Sequence, residues 1–123
     1  MLKKCALLLL YAAVIAVLSL RPSSSWQQWG SLAHLDKLQH MAVYCCFSLL
    51  AAYLIRSWRR RCLAAAGILL FSAGIEVVQG LVGRESSWLD LLANLCGIIL
   101  GLLTYKLYLV CRYRTVKSIY SSG

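Results

Sequence analysis

Four apolar runs dominate the sequence, at about residues 2–20, 37–55, 62–82 and 88–110. An α-helix rises about 1.5 Å per residue, so a run of about 20 residues crosses a hydrocarbon core of about 30 Å. A chain of 123 residues that is 61% hydrophobic cannot hide that much apolar surface inside a water-soluble domain, because small domains have a large surface for their volume. Lipid covers the excess when the helices span a bilayer. The expected fold is therefore all-α, a four-helix transmembrane bundle forming a single domain over residues 1–123. Glycine and serine inside the runs are compatible with this, since small residues let membrane helices pack closely.

The first run follows Lys3 and Lys4, as a signal peptide would, but Val17-Leu18-Ser19-Leu20-Arg21-Pro22 carries no small-x-small cleavage pattern. It reads as an uncleaved helix that Pro22 ends. The net charge of +9 does not point to nucleic acid, because it clusters at the ends of the apolar runs. Lys3 and Lys4, then Arg56, Arg59, Arg60 and Arg61, then Lys106, Arg112, Arg114 and Lys117 mark one side of the membrane at the start, middle and end of the chain. The positive-inside rule places both termini and the second connection in the cytoplasm. The tail after Arg114 is expected to fray into solvent. The six cysteines fall in apolar runs or at their basic ends, with no CxxC pair, and read as small buried hydrophobes rather than a disulfide framework.

In the first outer connection Trp26, Trp29 and Leu32 are three residues apart, and Ser23–Ser25 precede them. That spacing predicts a short interfacial helix between spans 1 and 2, with Trp at the membrane–water boundary and Trp88 at the same level. His34 is placed in this connection.

The rare polar residues fall at one depth. Asp36 and His40 open the second span, Glu76 and Gln79 lie near the outer end of the third with Arg84 just beyond, and Asp90 and Asn94 open the fourth. Asp36, His40 and Tyr44 are spaced four apart, Glu76 and Gln79 three apart, and Asp90 and Asn94 four apart, so each set shares a helix face. Gly97 and Gly101 continue the face of Asp90 and Asn94 as a helix-contact pattern. Ionisable groups inside a span are costly and face the bundle interior. Asp36, His40, Glu76, Gln79, Arg84, Asp90 and Asn94 are thus expected to converge in one outward-facing pocket, with Tyr44, Gly97 and Gly101 packing helices together. Polar residues also hold membrane helices together by hydrogen bonds, a role that suits Gln79 and Asn94 as well as ligand binding does.

In order and spacing, Asp36-Lys37-x-x-His40-x-x-x-Tyr44, Glu76-x-x-Gln79, Arg84 and Asp90-x-x-x-Asn94-x-x-Gly97-x-x-x-Gly101 resemble the VanZ-like family of membrane proteins, from about residue 36 to residue 102. The resemblance implies a bacterial inner-membrane protein, and an association with resistance to the glycopeptide teicoplanin for the family's founding member.

Three functions fit these residues. The first is a binding protein whose pocket holds the polar head of a membrane lipid, a lipid-linked glycan or a lipoglycopeptide, with Arg84 forking onto phosphate or carboxylate. The second is an enzyme acting on an envelope lipid or glycan, with His40 as general base oriented by Asp36 or Asp90 and Glu76 as proton donor. No GxSxG, HExxH or Walker loop supports it. The third is a structural role beside another membrane protein or in a homo-oligomer. No cofactor is expected, and no metal, because the helices carry no HxxxH or paired Cys–His spacing. Four short spans without an inverted repeat leave little room for a transporter.

Overall fold

The computed structural model describes residues 2–20, 33–82 and 87–121. They form four helices: α1 (Leu2–Ser19), α2 (Ala33–Leu54), α3 (Trp58–Leu81) and α4 (Trp88–Ser121). Among the described residues there is no strand. α1, α3 and α4 are long and apolar enough to cross a membrane. α2 is the exception because its first two turns carry Asp36, Lys37, Gln39 and His40. The interfacial helix expected around Trp26–Leu32 lies outside the described residues.

The bundle buries several polar side chains and exposes many large apolar ones. The largest fully buried side chains are Asn94, Ser48 and Ser72, each under 2% exposed, whereas Leu70 and Leu81 are 74% and 80% exposed. In water that distribution would be unstable. In lipid it is the expected one, because hydrocarbon wets the leucines and the interior must satisfy the polar groups.

Interhelical contacts fix the direction of each helix. Lys37 meets Asp90, His40 meets Asn94 and Ser48 meets Ile98, so α2 and α4 run parallel. Arg61, at the start of α3, reaches Ala52 and Ile55 at the end of α2, so α3 is antiparallel to both. α1 pairs Lys4 with Leu54, Tyr11 with Val43 and Ser19 with Gln79, which makes it parallel to α3. It packs on α2 and α3 and, among the described residues, not on α4.

The α2–α4 seam is the tightest in the molecule because glycine removes the side chain there. A Cβ on Gly97 would overlap the Met41 carbonyl oxygen, and one on Gly101 would stand 2.5 Å from the Cys45 oxygen and 3.0 Å from the Leu49 nitrogen. Ser48 closes the seam by donating to the Ile98 carbonyl at 2.9 Å. On the other face of α2, Phe47 packs against Tyr11 and Phe71 with ring centroids 5.0 and 6.4 Å away. This aromatic contact and Ile15, Ile68 and Ala51 tie α1 and α3 to the pair.

Three helix boundaries differ from the apolar runs. α2 and α3 each begin four residues earlier than the runs at residues 37 and 62, which places His34 within α2 and Arg59–Arg61 in the first turn of α3. α4 continues to Ser121 where fraying was expected after Arg114. Hydropathy marks where lipid can touch the chain. It does not mark where helical hydrogen bonding stops, and residues 111–121 contain neither glycine nor proline to stop it.

Candidate functional site

The chain has only four acidic residues, and three of them, Asp36, Glu76 and Asp90, gather at one end of the bundle. The opposite end holds Lys4, the second connection and the basic half of α4. The two ends are built differently.

At the acidic end, Asp36 and Asp90 lie in the first turns of α2 and α4, where the helix dipole favours negative charge. Ser87 starts α4 by accepting the Leu89 N–H at 3.2 Å, an N-terminal cap. Lys37 Nζ sits 2.8 Å from Asp90 Oδ1, with the carboxylate side chain 9% exposed. One turn deeper, His40 Nδ1 lies 3.1 Å from Asn94 Oδ1. With the amide oxygen facing the ring, Nδ1–H is the donor. Asp36, His40 and Asp90 place one ligand-type atom each within 4.8 Å of the others.

Glu76 faces this group from α3. It is 8% exposed, and among the described residues neither carboxylate oxygen completes a hydrogen bond. The described titratable groups acting on it are Asp90, His40, Asp36 and Lys37, with the Ser87 amide directed toward it. Tyr44 and Ser72 adjoin it on the core side. Helix position does not explain Glu76, because it lies near the C-terminus of α3, where the dipole disfavours an anion.

Gln79 turns toward α1 and donates to the Ser19 carbonyl at 2.8 Å. Gln79, Ser19, Asp36, Gln39, His40 and Tyr44 border a cavity of about 160 Å³ between α1, α2 and α3. Further down the same three helices, Leu8, Ala12, Phe47, Ala64, Gly67 and Phe71 line an apolar crevice of about 220 Å³. Asp36, His40, Glu76, Asp90 and Asn94 are thus brought together, Gln79 forms the α3 side of the cavity and reaches across to α1, and Arg84 lies outside the described residues. His40 takes Asn94 as its hydrogen-bond partner in place of the Asp36 or Asp90 that the acid–base reading requires.

Sequence reasoning missed two residues. Lys37 stands in the family pattern but was not assigned to the site, because a lysine at the start of a span reads as a topology signal. Arg61 was taken as one of four basic residues in a connection, yet it is 8% exposed. Its Nε donates to the Ala52 and Ile55 carbonyls at 3.0 and 2.7 Å, its Nη2 lies 3.4 Å from the Tyr105 hydroxyl, and its guanidinium stands 4.6 Å from the Tyr105 ring centroid. It closes the carbonyl end of α2, which helical bonding leaves unpaired. Its i+4 spacing from Ser57 offered no clue to this.

Apolar outward faces, three membrane-length helices and a polar cluster at one end define a small helical membrane protein. A model of the VanZ/LLP1 family matches residues 6–110, and the chain belongs to that family. The match extends the resemblance at residues 36–102 back into α1. No curated protein and no solved structure matches the chain at a significant level.

Proposed function

We propose that this is a four-pass protein of a bacterial inner membrane that holds the polar head of an amphiphile at the outer face. The acidic end faces outward and both termini lie in the cytoplasm, the orientation that the basic residues of the opposite end favour. α2 makes the fourth crossing, with its polar first turns at headgroup depth. The amphiphile is a lipid, a lipid-linked glycan or a lipoglycopeptide such as teicoplanin.

One observation carries this reading: the polar cavity and the apolar crevice lie along the same α1–α2–α3 groove. A molecule with a polar head and a hydrocarbon tail matches both. Gln79 and Gln39 supply hydrogen bonds to hydroxyls at the head, and Arg84 supplies a planar fork for phosphate or carboxylate. That His40 is held by an amide favours binding over acid–base catalysis.

Teicoplanin and a panel of envelope lipids should be titrated against the protein in nanodiscs, with folding followed by circular dichroism. Arg84→Ala is expected to weaken the head contact. Gly67→Leu fills the crevice, because nothing lies within 4 Å of a Cβ there, and is expected to weaken the tail contact. Gly74→Leu, equally open but outside the crevice, should bind as wild type. Absence of binding to every panel member, or binding unchanged in both folded variants, refutes the proposal.

A further inference from the structure

We propose that Asp36, His40 and Asp90 form a binding site for one divalent first-row transition-metal ion, with Glu76 as a fourth ligand. The site shares Asp36 and His40 with the lining of the neighbouring cavity, but the inference rests on ligand geometry and not on what that cavity binds.

The three ligand-type atoms come from two parallel helices and lie at most 4.8 Å apart. Around an ion with bonds of about 2.1 Å, tetrahedral ligands stand about 3.5 Å from one another. The site therefore closes by about an ångström, within the reach of side-chain rotation. First-turn positions alone account for Asp36 and Asp90, so these two do not require an ion. Helix position does not account for Glu76 in the same way. It is 8% exposed, its oxygens have no hydrogen-bond partner among the described residues, and the described charged groups facing it are the three members of the cluster and Lys37. A carboxylate buried without a partner is expensive in a protein interior and more so at membrane depth.

The surroundings suit an ion. Asn94 pairs with His40 at Nδ1, and donation from that nitrogen would leave Nε2 for the ion, as outer partners of metal-bound histidines commonly do. Two or three carboxylates and one imidazole, without thiolate, favour Mn²⁺, Fe²⁺ or Zn²⁺ over soft metals. Lys37 supplies a single positive charge to Asp90 and competes with the ion for that carboxylate. Helix spacing concealed the site because its ligands are divided between α2, α3 and α4.

Mn²⁺ is the probe of choice, because the chain has six cysteines that would take up Zn²⁺ nonspecifically. Electron paramagnetic resonance of the protein in nanodiscs, titrated with MnCl₂, should show one bound ion per chain. Its electron spin echo should carry a ¹⁴N modulation from imidazole, a readout that needs no variant. Asp90→Asn and Glu76→Gln should weaken binding, Asn94→Ala should weaken it by about 10–100-fold, and His40→Gln should abolish the ¹⁴N signal. Lys37→Met should tighten binding by removing the competing ammonium. No Mn²⁺ bound by the wild type at millimolar concentration, bound Mn²⁺ without ¹⁴N coupling, or unchanged affinity in folded Asp90→Asn would each overturn the proposal.

Discussion

Replacing Gly97 with alanine tests how far the α2–α4 seam governs the molecule. The new methyl group would overlap the Met41 carbonyl, and the equivalent group at Gly101 would stand 2.5 Å from the Cys45 oxygen, against an ordinary carbon–oxygen contact of about 3.4 Å. Both obstacles are backbone atoms, so the helices must part by about 1 Å. That movement takes the Ser48–Ile98 hydrogen bond from 2.9 Å to about 3.9 Å, beyond hydrogen-bonding range. The His40–Asn94 and Lys37–Asp90 contacts loosen with it. Three interhelical polar contacts at roughly 0.6 kcal/mol each come to about 2 kcal/mol. Overpacking adds about 1–3 kcal/mol, and the better helix propensity of alanine returns up to about 1 kcal/mol. The net loss is about 2–4 kcal/mol. Equilibrium unfolding in mixed micelles with increasing sodium dodecyl sulfate, followed by tryptophan fluorescence, measures it. Gly74→Ala is the control, since a Cβ there meets nothing within 4 Å, and it should match or exceed wild-type stability. Equal midpoints for Gly97→Ala and Gly74→Ala would refute the close-seam argument.

Arg61→Lys keeps the charge but loses the planar fork that reaches Ala52, Ile55 and Tyr105, so it should destabilise the bundle by about 1–3 kcal/mol in the same unfolding assay. A loss below about 0.5 kcal/mol would show that positive charge alone matters there. In intact cells a membrane-impermeant maleimide should leave a variant whose only cysteine is the exposed Cys111 unlabelled until the membrane is permeabilised. Labelling beforehand would reverse the proposed orientation.

The four helices were legible, three of them with the length and composition that lipid imposes on a span. The polar layer was legible for the same reason, since an ionisable residue within a span stands out against its neighbours. Rotation and partner choice were not legible. Spacing placed Gln79 on the face of Glu76, yet one side chain turns to Ser19 on α1 and the other to the cluster. Spacing also placed Asp36 and His40 together without showing that Asn94, from another helix, would take the imidazole. The helix ends were missed where charge follows an apolar run. At about 1.5 Å per residue, the 34 residues of α4 reach about 20 Å beyond a hydrocarbon core of about 30 Å. Basic residues there end the contact with lipid without ending the helix.

The glycine seam and the polar layer depend on each other. Asp90, Asn94, Gly97 and Gly101 occupy one stripe of α4, and they meet Lys37, His40, Met41 and Cys45 in the same order along α2. Close approach at the two glycines sets the distance at which the imidazole reaches the amide and the ammonium reaches the carboxylate. A methyl group at Gly97 lies nearest to these pairs, and one at Gly101 lies a turn further from them. If the seam positions the site, Gly97→Ala should disturb the His40–Asn94 pair at denaturant concentrations where the bundle is still folded. Gly101→Ala should cost comparable stability with less effect on the site. Imidazole NMR shifts that move equally in the two variants would show that the layer is held by its own hydrogen bonds and owes nothing to the glycines beneath it.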